Sequence, residues 1–171
     1  MESRRGGACR AQDYLLRTDA TWRTIKGSVP VAADWNSAVF FDDSDAAGWT
    51  NAFKSPIGDR IWNTSNLSSE SPANPRFRHV FDLWGGVTTA VAHFYFDDDA
   101  TVWINGTEVL NDTDRHATTF DNVILDPSLF HEGENLIAVW GHNVDPPYNN
   151  TFSKTRGVTA LCKMRHEGMG I

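Results

Sequence analysis

The sequence predicts an all-β protein, an antiparallel jelly-roll sandwich of two sheets, from three observations. Most apolar residues fall in short runs bounded by turn residues, which is typical of strands rather than helices. Asn105-Gly106 lies between two such runs and is a strong signal for a two-residue hairpin. Only residues 127–130 read as a helical turn, with Pro127 suited to its first position. Many short strands with hairpin turns and little helix indicate a sandwich or jelly roll.

The predicted strands lie mostly in the second half of the chain. Residues 76–84 alternate between the two faces of a strand. One face carries Phe77, His79, Phe81 and Leu83, and the other carries Arg76, Arg78, Val80, Asp82 and Trp84. Gly85-Gly86 then predicts a hairpin to a strand over residues 87–96. The later predicted strands are 101–104, 108–110, 119–125, 135–142 and 158–164, and the predicted core residues are Phe77, Phe81, Val102, Ile104, Ile137 and Val139.

Size and charge exclude several classes of protein. A chain of 171 residues is close to the common size of one domain. Its net charge of −7, from 15 Lys and Arg against 22 Asp and Glu, argues against a nucleic-acid partner, because such domains are normally basic. No run approaches the roughly 20 apolar residues of a membrane span, and no secretory signal is visible. We therefore expect no nucleic acid and no membrane insertion.

Residues 1–12 are polar and rich in arginine, which predicts an N-terminal arm before a β-sandwich over residues 13–171. Ordering such an arm costs roughly 1–2 kcal/mol per residue in conformational entropy, so partner contacts must offset that cost. We expect the arm to dock on another copy of the chain in a homo-oligomer. The alternative is that it folds back on its own sheet, where Cys9 and Cys162 are either paired or two free thiols. The arginines of the arm are Arg4, Arg5 and Arg10.

Several short motifs follow one another in a characteristic order across residues 14–164. The most specific are DDDATVWING at residues 97–106 and GENLIAV at residues 133–139. Together they resemble the galactose-binding-like β-sandwich family, jelly-roll modules found beside glycoside hydrolases and in bacterial and phage surface proteins. The resemblance implies this fold and a non-catalytic binding or adhesion role, but the fold does not choose a ligand. The other matching positions are residues 20–23, 34–35, 41–44, 49, 60–62 and 77–81.

A set of aromatic and polar residues predicts a carbohydrate site near the end of one strand. Trp140 and His142 close that strand, Asn143 and Tyr148 lie in the long polar loop after it, and Trp49 lies in another turn. Aromatic rings stack on the apolar faces of sugars, while imidazole and amide groups hold hydroxyls. We expect these residues to bind a cell-surface glycan. The alternative for the tryptophans is packing in the core, where large aromatic residues usually lie.

Three consecutive carboxylates, Asp97, Asp98 and Asp99, stand beside a strand end. Oxygen ligands of this kind suit calcium. Solvated turn residues are the favoured interpretation, because the spacing of an EF-hand loop is absent and Asp is common in turns. We therefore expect no cofactor, with calcium as the alternative.

Two functions remain, and neither is catalytic. The sequence has no GxSxG, P-loop or HExxH motif and no recognisable pair of catalytic carboxylates, so we expect no enzyme activity. The favoured function is a structural or adhesion protein of a larger assembly, such as a phage surface, decoration, tail or fibre component that contacts host glycans and other virion proteins. We expect such a protein on a virion or an extracellular surface. The alternative is a carbohydrate-binding module that serves polysaccharide degradation.

Overall fold

The computed structural model describes residues 13–14, 21–52, 74–83, 85–94, 99–113, 121–142 and 158–162. Within these ranges the chain forms strands and two short 3-10 turns, Asp45–Ala47 and Pro127–Leu129. The strands are β1 (Asp13–Tyr14), β2 (Trp22–Ile25), β3 (Thr50–Ala52), β4 (Arg76–Leu83), β5 (Val87–Phe94), β6 (Asp99–Ile104), β7 (Thr107–Asp112), β8 (Asp121–Leu125), β9 (Gly133–His142) and β10 (Val158–Cys162).

The strands form two antiparallel sheets, which confirms the predicted fold class. The four-stranded sheet has the order β1-β10-β5-β8, and the six-stranded sheet has the order β3-β2-β4-β9-β6-β7. Every pairing between neighbouring strands is antiparallel. In the part of the chain that the structure describes, no helix has the length and apolar character needed to cross a membrane.

An apolar core fills the space between the two sheets. Trp22 and Phe77 enter it from the six-stranded sheet, and Phe94 and Leu125 enter it from the four-stranded sheet. All four side chains are buried, so the sheets pack face to face as a sandwich. Among the predicted core residues Phe81 is half-buried against this cluster, and the buried ones are Phe77, Val102, Ile104, Ile137 and Val139.

The Asn105-Gly106 turn joins β6 to β7 as predicted. Both residues have positive φ, 48° and 83°, as a tight hairpin turn with two left-handed residues requires. Asn105 Nδ2 donates to the Leu129 carbonyl and to Asn135 Oδ1 at 2.8 Å, and Asn105 Oδ1 accepts from the Leu136 amide. The two asparagines of the ING and GENLIAV motifs therefore hold the hairpin to the start of β9.

The hairpin predicted at Gly85-Gly86 is wrong. β4 pairs with β2 and β9, whereas β5 pairs with β8 and β10, so the chain crosses here from one sheet to the other. Gly85 has a φ of 106°, which suits a sharp change of direction that a residue with a side chain would resist. The glycines were read correctly as a turn, but local turn signals do not say which sheet the next strand joins.

The predicted arm at residues 1–12, Cys9 and the long loop that follows His142 lie outside the described residues. Cys162 is the last residue of β10, and its pairing with Cys9 stays a prediction.

Candidate functional site

A second apolar cluster covers the outer face of the six-stranded sheet, the face turned away from the core. It is built by residues 26–49, here called the covering segment, packed on side chains of β6 and β9. Trp35 from this segment packs edge-on against Trp103 of β6, with ring centroids 5.6 Å apart. Trp49 and Phe41 pack together in the same way at 5.8 Å. The sheet is therefore buried on both faces over this area.

Arg78 of β4 holds the covering segment in place from beneath. Its side chain is 0% exposed and donates to the carbonyl oxygens of Trp35 and of Ala38, the latter at 2.8 Å. Its Nε lies 3.2 Å from Asp43 Oδ2. Burial lowers the pKa of Arg78, and the Asp43 carboxylate acts in the opposite direction. A buried cation needs such partners, because an unpaired charge in the interior is strongly destabilising.

Arg76 occupies the same face two residues earlier, and its surroundings are different. The antiparallel register places it opposite Trp140 of β9. Its Cζ lies 5.5 Å from the Trp140 ring centroid and 5.8 Å from that of Trp35, so the guanidinium makes cation–π contacts with two indoles. Burial lowers the pKa of Arg76, although its high ordinary value keeps it charged at neutral pH.

His142 extends this group towards β6. Its ring packs on Trp140 with centroids 4.1 Å apart, and its Nε2 lies 3.4 Å from Thr101 Oγ1. Burial is the main cause that lowers the pKa of His142, the nearby Arg76 charge acts in the same direction, and the Asp99 carboxylate opposes both. The imidazole is therefore neutral near pH 7, with one nitrogen that donates and one that accepts.

These side chains form one group, here called the outer-face cluster. Trp35 and Thr101 are buried in it, and the other members are half-buried. In the described part of the chain, the buried Nε1 of Trp140 has no hydrogen-bond partner. The cluster combines an aromatic surface with a half-buried guanidinium and a half-buried imidazole, which can contact a polar ligand. Its members are Trp35, Arg76, Asp99, Thr101, Trp140 and His142.

The structure brings two of the predicted carbohydrate-binding residues together and places a third away from them. Trp140 and His142 are in direct contact, as their positions at the end of one strand indicated. Trp49 is 1% exposed and packs in the outer apolar cluster, so its inclusion in a sugar site was wrong. The physical reason is that the covering segment folds back over the sheet and encloses this ring. Asn143 and Tyr148 lie outside the described residues.

Of the three carboxylates proposed for calcium, only Asp99 falls within the described residues, and it acts electrostatically on His142. Asp97 and Asp98 lie outside them, so the calcium alternative stays a prediction. Within the described ranges, no group of three or more His, Cys, Asp or Glu side chains is placed to hold a metal ion.

Comparison with solved structures finds the same fold in one part of several larger proteins. A β-glucuronidase from Bacteroides uniformis is similar over 87% of this chain with a TM-score of 0.61 and 23% identity. A β-glucuronidase from an uncultured Clostridium sp. is similar over 95% of it, with a TM-score of 0.59 and 12% identity. The chain shares a fold with one part of these glycosidases. No protein-family model and no curated protein matches it.

A third similar structure, a GH2 β-galacturonidase from Eisenbergiella tayi, has a TM-score of 0.54 at 12% identity over 91% of the chain. The chain spans only 18%, 31% and 25% of the lengths of these three proteins, in the order given. The likeness supports the β-sandwich that the sequence resembles. It lends no support to a phage protein, since all three are glycosidases.

Sequence reasoning missed Arg76, Thr101 and Trp35 as members of the cluster. The alternation in residues 76–84 does assign Arg76 to the face away from the core, and this is the one signal that was available. Which residue of β9 lies opposite Arg76 depends on the register between strands far apart in sequence. The position of Trp35 depends on the path of the covering segment, for which the sequence has no local signal.

Proposed function

We propose that this chain is a non-catalytic carbohydrate-binding domain that serves a polysaccharide-degrading enzyme. The observation that carries the proposal is the contact between Trp140 and His142 at the end of β9, flanked by Thr101 and Arg76. An indole offers a flat apolar surface to a sugar ring. The neutral imidazole provides one donor and one acceptor for the sugar's hydroxyl groups.

The comparisons favour this function over the virion component that the sequence had favoured. Three of the similar solved structures are a β-galacturonidase and two β-glucuronidases, and the chain corresponds to less than a third of each. A domain of this size and fold therefore fits an accessory role beside a catalytic unit better than a capsid or tail role.

The cluster itself argues against catalysis. Glycoside hydrolysis requires two carboxyl groups that face each other across the scissile bond. Among the described members of the outer-face cluster, Asp99 is the one residue with a carboxyl group. Binding without bond cleavage is the chemistry that this set of side chains supports.

Isothermal titration calorimetry against a panel of neutral and acidic plant and bacterial oligosaccharides tests the proposal. We expect binding that His142→Ala weakens about fivefold, the order of one lost hydrogen bond, and that Trp140→Ala weakens by at least about tenfold. Phe40→Ala is the matched control, because Phe40 is an aromatic residue that is 93% exposed and lies outside the cluster. We expect it to bind like the unmodified protein.

Trp140 also packs on the covering segment, so the melting temperature of each variant is measured in parallel. If Trp140→Ala fails to fold, His142→Ala still decides the test, because His142 is half-buried at the end of its strand. The absence of binding to every oligosaccharide on the panel would contradict the proposed function. Binding that neither substitution weakens would contradict the assignment of the site.

A further inference from the structure

Three arginines lie on the outer face of the six-stranded sheet, and Arg76 differs from the other two. Arg23 Nη2 lies 2.7 Å from Asp45 Oδ1, and Arg78 Nε lies 3.2 Å from Asp43 Oδ2. Within the described residues, Arg76 makes no ion pair of this kind. A half-buried guanidinium without a counter-ion is unusual, since buried charges are normally paired.

The hydrogen bonds of Arg76 leave part of its guanidinium available. Nη1 lies 3.5 Å from the carbonyl oxygens of Gly27 and of Val29, at the long limit for a hydrogen bond. In the part of the chain that the structure describes, Nε and Nη2 donate to no group, and neither atom is completely buried. These two donors lie on one edge of the planar group, as bidentate binding of an anion requires.

Two indoles contact the guanidinium of Arg76. The ring centroids of Trp35 and Trp140 lie 5.8 and 5.5 Å from its Cζ, so two cation–π contacts restrain the side chain. A cation held in this way loses little rotamer freedom when it binds a ligand, because the side chain is already ordered. The geometry is therefore preorganised for a planar anionic group.

Across the three adjacent strands of the sheet, a cation lies at one end of the cluster and a carboxylate at the other. Arg76 lies on β4, Trp140 and His142 on β9, and Asp99 on β6 opposite His142. Since neighbouring strands are about 5 Å apart, the cation and the carboxylate stand on strands roughly 10 Å apart, about the length of one or two sugar units. An extended polyanion is disfavoured by Asp99 and by the net charge of −7. A ligand with one carboxylate at the Arg76 end and hydroxyls at the Asp99 end fits.

We propose that Arg76 binds the carboxylate of a uronate residue whose ring lies against Trp140, so that the ligand of this domain is a saccharide with one uronate unit beside neutral units. This inference rests on the proposed function, because it names the sugar class that the same cluster takes. The half-buried His142 then holds a hydroxyl group of the same or the adjacent sugar unit. The planar fork of arginine matches a carboxylate with two parallel hydrogen bonds, which lysine does not reproduce.

The test compares oligosaccharides that contain one galacturonate or glucuronate unit among neutral units with their carboxyl-reduced counterparts, which have the same rings without the charge. Calorimetry on the full chain is expected to show that at least one acidic oligomer binds about tenfold or more tightly than its reduced form. Arg76→Met keeps an unbranched side chain beside the indoles and removes the charge. We expect it to abolish this preference, so that the variant binds the acidic and the reduced oligomer equally.

Lys26→Met is the control for general electrostatic attraction. Lys26 is exposed and follows Ile25, the residue that pairs with Arg76 in the sheet, so the substitution removes one positive charge nearby. We expect it to retain the preference for the acidic oligomer. Arg76→Lys provides a second variant that keeps the charge, and it is expected to retain only part of the preference because it lacks the planar fork.

The outcomes separate the inference from the proposed function. Equal binding of acidic and reduced oligomers, or an equal loss in Lys26→Met and Arg76→Met, would overturn the role of Arg76 and leave the carbohydrate-binding function standing. No binding of any oligomer would overturn both. Thermal unfolding of each variant verifies that a loss of binding does not reflect a loss of folded protein.

Discussion

His79 and His142 lie on opposite faces of the six-stranded sheet, and folding lowers the pKa of both side chains. Burial is the main cause that lowers the pKa of His79, while a hydrogen bond with the Thr21 carbonyl opposes it. Burial also lowers the pKa of His142, and the Asp99 carboxylate opposes that change. Both rings therefore carry a proton more readily in the unfolded chain than in the folded protein.

This difference predicts a loss of stability in mild acid. Because the folded pKa values lie below the ordinary value of 6.5, the stabilising contribution is fully present above pH 6.5 and is lost as the pH falls through the folded values. The free energy of unfolding, measured with urea between about pH 7 and 5, is expected to decrease with falling pH. His79→Gln and His142→Gln should each flatten this dependence.

His131→Gln is the matched control, because His131 is exposed. The interval stays above the range in which Asp and Glu side chains ordinarily titrate, so the histidines dominate the slope. A slope that neither His79→Gln nor His142→Gln changes would show that other groups carry the pH dependence.

At the scale of elements, the covering segment depends on β4 for its anchoring. Arg78 donates to backbone carbonyl oxygens of the segment at Trp35, Ala38 and Val39, and it pairs with the Asp43 side chain. The segment has only a short 3-10 turn of its own at Asp45–Ala47. Buried polar contacts to a sheet, rather than regular secondary structure, therefore maintain the position of Trp35 beside Arg76.

Two aspartates of the segment allow this anchoring to be measured. Asp43→Ala removes the carboxylate from a completely buried guanidinium and is expected to cost about 2–3 kcal/mol of unfolding free energy, below the full value for an enclosed pair because Asp43 is 27% exposed. Asp45→Ala removes a partner of Arg23 that is 84% exposed and should cost less than about 1 kcal/mol. Urea denaturation compares the two.

Equal losses of unfolding free energy in Asp43→Ala and Asp45→Ala would show that the ion pair of the buried Arg78 stabilises the protein no more than that of Arg23. A weaker ligand affinity of Asp43→Ala, measured at a temperature where the variant is folded, would show that the contact between Arg78 and Asp43 supports the outer-face cluster through the position of Trp35.

The sequence predicted elements whose determinants are local and failed where distant segments meet. The Asn105-Gly106 hairpin and the turn at Pro127 depend on the backbone preferences of one or two residues, so both could be read directly. Gly85-Gly86 marks a turn equally well, but the sheet that β5 joins is decided by its pairing with β8 and β10. Nothing nearby in the sequence shows that residues 26–49 cover the sheet, so the burial of Arg78 and of Trp49 could not be predicted from local patterns.

At the scale of the whole molecule, the two sheets are not equivalent. The six-stranded sheet is packed on both faces, by the core on one side and by the covering segment on the other. On the four-stranded sheet, Ile124 of the edge strand β8 is 82% exposed. The outer-face cluster thus lies on a support that is rigid on both sides, as a preorganised binding site requires.

Deamidation of Asn105 in the Asn105-Gly106 turn is a chemical marker of unfolding in this protein. In a flexible Asn-Gly pair, the glycine amide nitrogen attacks the asparagine side-chain carbonyl, ammonia leaves, and the cyclic imide hydrolyses to aspartate or isoaspartate. In the folded protein the side chain of Asn105, in the one Asn-Gly pair of the sequence, is held by hydrogen bonds to Leu129, Asn135 and Leu136, which prevents this attack. Peptide mapping follows deamidation at Asn105 during storage with and without urea. We expect deamidation only in urea, where the hairpin opens. Equal rates in both conditions would show that the turn offers no protection.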